Sequence, residues 1–267
     1  MESESPLPFE VILLGTGAAL PPVGRENTSL ALSWAGGIWL IDCGASPHRR
    51  LRAAGLDPAD LRGITITHAH PDHLYGLPSL LHCLLSTPRN AALPVLAPPA
   101  TLRKARLLLE LFNLHDRPEV PLDLIEVPLE PARQGSDPVY EVDGLRLWFE
   151  PVEHGPEAIG VRAEAGGRAI ACSGDSAPCA GIDRLARGAN LLVHEATFLE
   201  GSRERDGADH STAREAGSAA RRAGVETLVL VHFLEATISD PGAVKREAGE
   251  VFTGTIIVGE DLGRYQV

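Results

Sequence analysis

Thr67-His68-Ala69-His70-Pro71-Asp72-His73 is the stretch on which the reading of this chain turns. It continues a short β-branched run, Ile64-Thr65-Ile66-Thr67, which reads as a strand. Three imidazoles and a carboxylate therefore crowd the end of one strand. His68 and His70, two apart, can converge on one cation from an extended or turning backbone. Asp72 and His73 follow the bend at Pro71 and point elsewhere, toward a second cation. Imidazole combined with carboxylate suits zinc or another borderline divalent metal. A single histidine is more often structural, but four such groups at this spacing do not read as an incidental polar loop.

One loop cannot complete two coordination spheres, so further ligands must come from other strand ends. His154, His194, His210 and His232 all lie near the ends of apolar runs. Asp175 sits in Cys172-Ser173-Gly174-Asp175-Ser176, where glycine permits a sharp turn that exposes the carboxylate. Strand position alone leaves two readings open for each. His154 is equally a turn residue, Asp175 a turn cap and His232 a polar strand end. His48, His82 and His115 have no motif context and read as surface or packing residues.

Along the chain, strands are expected at Phe9 to Leu14, Thr28 to Leu32, Ile38 to Asp42 and Ile64 to Thr67, and again ending at Val95-Leu96. Later ones fall at Leu145 to Glu150, Ile159 to Ala163, Ala169 to Cys172, Leu191 to Val193 and Thr227 to Val231, with Ile256 to Val258 as the last. Helical patterns occupy 46–54, 77–85, 100–112, 178–187 and 211–223, the last capped by Ser211 or Thr212. Residues 118–138, rich in proline and acid, read as a surface excursion or a specificity region. Strand-helix alternation returns in the second half, which suggests a two-sheet α/β sandwich with helices outside. The 267 residues, 44% hydrophobic and without repeat or linker, read as one domain, 1–267, with a polar tail over 1–8.

The formal net charge of -12 argues against a general nucleic-acid coat protein. Lys104 and Lys245 are the only lysines, and no basic run forms. Four scattered cysteines do not make a disulfide framework, the acidic start is unlike a signal peptide, and no apolar run reaches the ~18 residues of a membrane span. The expectation is a soluble protein of the cytoplasm.

Several motifs in order resemble the metallo-β-lactamase superfamily, and within it ribonuclease Z and its phosphodiesterase relatives. They are Leu14-Gly15-Thr16-Gly17 with Arg25, Ser29 and Leu30, then Ile41-Asp42-Cys43-Gly44, then Thr67 to Pro78. They continue through Ser173-Gly174-Asp175-Ser176, His194-Glu195-Ala196-Thr197-Phe198, His210-Ser211-Thr212 and Val231-His232-Phe233. The resemblance implies a four-layer αββα sandwich. It implies that His68, His70 and His154 hold one metal, that Asp72, His73 and His232 hold the second, and that Asp175 bridges them. Zinc is the first expectation, with manganese or iron as alternatives.

The implied chemistry is attack by a water or hydroxide shared between the cations, with Asp72 accepting or orienting its proton. His210, tuned by Glu195, would protonate the leaving alkoxide. Capping and loop packing are the plain alternatives for those two residues. Common ribonuclease Z enzymes carry a basic, glycine-rich arm between the third histidine and the bridging aspartate. Here His154 and Asp175 leave room only for two strands and a turn, and the arm is absent. A small or cyclic phosphodiester therefore fits at least as well as a tRNA precursor, with a partner or homodimer able to supply the missing grip. The rival functions are hydrolysis of a lactam, lactone or thioester on the same fold, and a non-catalytic metal-binding module.

Overall fold

The first strand, β1 (Glu10–Gly15), already sorts side chains into layers, because successive residues of a strand face opposite ways. Val11 and Leu13 enter one apolar cluster, Ile12 and Leu14 another. In the computed structural model, which describes residues 8–131, 137–202 and 208–267, this division runs through the whole molecule. The tail expected over 1–8 lies, but for Pro8, outside the described residues.

The first sheet contains β1, β2 (Ser29–Trp34), β3 (Gly37–Ile41), β4 (Leu61–Thr65), β5 (Leu93–Ala97) and β6 (Leu122–Glu126). The second contains β7 (Tyr140–Val142), β8 (Leu145–Pro151), β9 (Ile159–Ala165), β10 (Arg168–Cys172), β11 (Leu191–Glu195), β12 (Thr227–Val231) and β13 (Thr255–Val258). A last strand, β14 (Arg264–Gln266), returns to the first sheet and pairs antiparallel with β1. The orders are β14-β1-β2-β3-β4-β5-β6 and β13-β12-β11-β10-β9-β8-β7. Each sheet is antiparallel in its first part and parallel from β3 or β10 onward.

Leu30, Leu32, Trp39 and Ile41 of the first sheet meet Leu147, Phe149, Val161 and Val193 of the second in the central apolar layer. On the outer face of the first sheet lie α1 (Pro47–Ala53), α2 (Pro71–Leu74), α3 (Leu77–Leu84) and α4 (Pro99–Leu111), through Leu51, Leu81 and Leu109 among others. The outer face of the second sheet is covered by α5 (Ala180–Ala186), α6 (Ala213–Ala223), α7 (Glu235–Ile238) and α8 (Pro241–Gly249). The result is the four-layer αββα sandwich. Capping drives the best-formed helix: the Thr212 hydroxyl accepts from Glu215 N while Glu215 Oε2 accepts from Thr212 N at 2.8 Å. Its alanine face then lets α8 approach closely.

Three expectations change. Segment 118–138 contains β6, whose Leu122 to Glu126 pair with β5, so part of it is an edge strand. Ile256 to Val258 is not the last strand, because Arg-Tyr-Gln pairs at β14 without any apolar alternation to announce it. The strand expected to run to Thr67 ends at Thr65, though Ile66 N still donates to Leu96 O at 2.9 Å. Between His154 and Asp175 the chain forms β9, a Gly166-Gly167 turn and β10, and nothing larger. All four cysteines are unpaired, and among the described residues no helix is long and apolar enough to cross a membrane.

Candidate metal centre

The carboxyl ends of β4, β8, β10, β11 and β12 meet at one edge of the sandwich, where α/β folds leave a crevice for chemistry. After β4 the chain stays extended through His70 and turns into α2, with Pro71 at the first helical position. That turn points Asp72 and His73 away from His68 and His70. Two backbone bonds clamp it to the loop after β3: Cys43 N donates to His73 O and Gly76 N to Cys43 O, both at 2.8 Å. A side chain at Gly44 would collide with the Asp72 carbonyl, so the loop must be glycine there.

Two groups result. His68 Nε2 lies 3.0 Å from His70 Nδ1, and His154 Nε2 lies 3.1 Å from the same atom, with Asp175 close by. Asp72, His73 and His232 form the second group. Asp175 Oδ2 stands between them, 3.8 Å from His68 Nε2, 3.3 Å from His73 Nε2 and 3.1 Å from His232 Nε2. Each of the seven ligand residues expected from the sequence is in one of these groups.

The protons on the histidines say what the centre is built to hold. A carboxylate can only accept, so His73 Nδ1 donates to Asp42 Oδ2 at 2.7 Å. Thr67 donates its hydroxyl proton to the same Oδ2 at 2.9 Å, so its oxygen accepts from His68 Nδ1 at 3.0 Å. By the same logic Thr197 donates to Glu195 Oε2 at 2.6 Å and accepts from His232 Nδ1 at 2.8 Å. His154 Nδ1 donates to the Asp209 carbonyl at 3.1 Å. Four histidines thus hold a proton on the outer nitrogen and turn Nε2 inward, where each offers a lone pair once that nitrogen is unprotonated. His73 Nε2 and His232 Nε2 are buried and make no aligned hydrogen bond, despite their nearness to Asp175. Converging bare nitrogens around carboxylates fit divalent cations, and outer-nitrogen acceptors are the usual way such ligands are oriented.

Electrostatics agrees. Burial opposes charging His232, yet Asp175 overrides it and pushes the imidazole up to about 10. His73 is likewise raised against its burial by Asp175 and Asp42. Asp175 is buried too, but His232 and His73 hold it well below the usual carboxylate range. Negative charge in this pocket calls for positive charge. His68 goes the other way, held well below the usual range by burial and by His73.

Glu195 and His210 stand beside the second group. His210 Nδ1 donates to Glu195 Oε1 at 2.9 Å, and its ring stacks on His232 with centroids 5.3 Å apart. Glu195 is fully inside and gathers donors from Ser176 N, Thr197 N, the Thr197 hydroxyl and Ser211 N. Burial disfavours charge on both, but their mutual hydrogen bond prevails: Glu195 is lowered and His210 raised. His210 retains a partly exposed side chain.

His194 alternates to the opposite face of β11 and donates from Nδ1 to the Glu195 carbonyl, away from both groups. His82 is exposed and His115 pairs with Asp116 at 2.8 Å, in keeping with ordinary surface roles. Sequence reading gave no role to Asp42, Thr67, Thr197 or Asp209. For Asp42 a signal existed, a buried acid straight after an apolar strand within Ile41-Asp42-Cys43-Gly44. Its backbone, at φ 64°, lies in the left-handed region that non-glycine residues adopt only uncommonly.

Residues 39–233 match the family described as "Beta-lactamase superfamily domain". The ribonuclease Z of Mycolicibacterium paratuberculosis is 35% identical over 97% of this chain and 98% of its own length. The chain belongs to the ribonuclease Z branch of the β-lactamase superfamily. It is accordingly a metal-dependent hydrolase of the phosphodiesterase type. Solved structures share the fold: YhfI from Bacillus subtilis, a metallo-β-lactamase fold protein, superposes with a TM-score of 0.80 at 20% identity, covering 97% of this chain and 100% of that one. Human tRNase Z, short form, gives 0.79 at 24% identity, covering 96% and 98%.

Proposed function

We propose that this ribonuclease Z-branch chain hydrolyses phosphodiester bonds in RNA with two divalent cations, zinc foremost, manganese or iron as alternatives. The observation that carries this reading is the inward aim of four imidazole lone pairs around Asp175, with the His210–Glu195 pair alongside. His68, His70 and His154 would hold one cation, Asp72, His73 and His232 the other, and Asp175 would face both. Bound there, the cations supply an acidified water and neutralise charge on the phosphoryl oxygens.

The chain's own residues do the rest. Asp42, Thr67, Thr197 and Asp209 hold the outer nitrogens of His73, His68, His232 and His154 and so orient four of the ligand rings. Asp72 would accept or orient the proton of the attacking water. His210, charged through Glu195, gives a proton to the departing oxygen. A thioester expels a thiolate and needs no such acid, and a binding module would have no use for the Glu195 relay; lactam and lactone are separated from a phosphodiester by direct assay. The shared central layer supports one domain over the whole chain.

A second reading, a small or cyclic phosphodiester as substrate, is favoured by the net charge of -12 and by the bare β9–β10 hairpin where an arm could stand. The test is to measure metal content and then assay that sample on a chromogenic phosphodiester, cyclic nucleotides, a tRNA precursor, a lactam and a thioester. Activity confined to the last two overturns the proposal. His210→Ala should lower turnover by about 10²–10⁴-fold with both metals retained; loss of metal would show that its role is misassigned.

A further inference from the structure

The helical layer over the first sheet carries charges that its own helices do not ask for. α4 exposes Arg103, Lys104 and Arg106 toward its N-terminal half and Glu110 in its last turn. A helix dipole favours the reverse order, acids first and bases last. The carboxylate that α4's first turn needs comes from elsewhere, with Ala100 N donating to Glu157 Oε2 at 2.9 Å. Among the described residues none of the three cations makes an ion pair, whereas Arg184, Arg222 and Arg246 of the opposite helical layer each meet a carboxylate. Next to α4 lies α3, with no acidic side chain, and beyond it α1 exposes Arg49 and Arg52. In a chain of net charge -12 this is a concentrated basic face.

Its position matters as much as its sign. Glu157 belongs to the loop that carries His154, so α4 begins at the rim of the metal centre. At about 1.5 Å per residue, Arg103 and Arg106 lie about 6 to 11 Å along it. A local choice that opposes helix stability, at the edge of a reaction site, is where function overrides propensity.

We propose that Arg103, Lys104 and Arg106 of α4, extended by Arg49 and Arg52 of α1, form a track that binds the phosphate backbone of an RNA substrate in place of the missing arm. This rests on the RNA phosphodiesterase reading above. Cations left unpaired by the protein keep their charge for the phosphates, and each neutralised phosphate releases a counterion.

The test uses the metal-loaded enzyme, a tRNA precursor transcript and a chromogenic phosphodiester. The triple variant Arg103→Ala/Lys104→Ala/Arg106→Ala should raise KM for the transcript about tenfold or more, and lower the slope of log KM against log salt by about 2–3. Its turnover of the small diester should stay unchanged, and its melting temperature should not fall, since charges that oppose the dipole are gone. If the triple variant folds poorly, Lys104→Gln alone should lower the slope by about 0.7–0.9. The same substitution at Arg246, on the opposite layer, should change neither readout.

Unchanged KM and slope overturn the track. So does an equal loss on both substrates, or a fall in molar mass by light scattering with KM intact, which would make this face, with its exposed Leu107, Leu111 and Phe112, a contact between copies. Anisotropy with labelled transcript separates the two readings. A parent that binds it through these residues but cleaves no phosphodiester overturns the proposed function and leaves the track standing.

Discussion

Asp42→Asn changes one oxygen to an amide nitrogen, yet it should disturb both metal groups. Asp42 Oδ1 accepts from Thr67 N at 2.7 Å, a backbone donor that cannot turn away, so the asparagine oxygen must stay there. The new NH₂ then occupies the Oδ2 position, facing His73 Nδ1 and the Thr67 hydroxyl. Both now need to accept. His73 must move its proton to Nε2, which closes the lone pair aimed at the second group. The Thr67 hydroxyl, receiving from the amide, turns its own proton toward His68 Nδ1 and drives that ring to the same wrong tautomer. Loss of an orienting partner typically costs about 10–100-fold in metal affinity, equivalent to about 1.4–2.7 kcal/mol per site. The site at His68 and the site at His73 should both weaken by that order, as read by chelator competition and by metal content after dialysis. Thr197→Val, which among the candidate ligand rings removes a partner only from His232, should weaken one site. If Asp42→Asn binds two cations as tightly as the parent, or if only one site weakens, the tautomer chain traced here is wrong.

Two further outcomes follow from the electrostatics. Glu195 raises His210, and the proton donor is present below that raised pKa and lost as pH climbs through it. Glu195→Gln removes the carboxylate, so the alkaline fall in turnover should move to lower pH, and a profile with an unmoved alkaline limb would count against the relay. In metal-free protein His232, pushed up to about 10 by Asp175, carries a second proton at neutral pH, and Asp175 and Asp42 raise His73 in the same direction. Cations taking those nitrogens must expel the protons, so metal binding should release them and tighten as pH rises toward that range. Calorimetry in buffers of different ionisation enthalpy gives the number released; a value of zero contradicts the geometry.

The histidine-aspartate cluster was legible because its residues are contiguous and chemically unusual, and the later candidate ligands because each follows an apolar strand. Of the outer-nitrogen partners only Asp42 left a signal, an acid straight after an apolar strand. Thr67 and Thr197 look like ordinary polar residues until the fold sets them 3.0 and 2.8 Å from a ring. The layer order followed from alternation, as at Val11 to Leu14. Three strands escaped. β7 and β14, at three residues each, are too short to show a period, and β6 hides in a segment whose prolines and acids suggest a loop. Sequence pattern reports on burial, and edge strands owe their pairing to a neighbour instead. The basic face on α4 was invisible as a run because a helix, and not the linear chain, gathers it.

On the proposed ligand assignment, His68, His70, Asp72 and His73 hang from the first sheet, and His154, Asp175 and His232 from the second. Each cation is then a rivet between two half-molecules. Ile159 N donating to Thr67 O at 3.1 Å is one of the backbone stitches beside it. A metal at 100 times its dissociation constant adds about 2.7 kcal/mol to the folded state, here directed at the seam between the halves. A nascent polypeptide therefore carries half a centre until β12 has joined its sheet and His232 has swung into place. On that assignment hydrolytic competence arrives late in assembly, only once all seven ligand residues have been brought together.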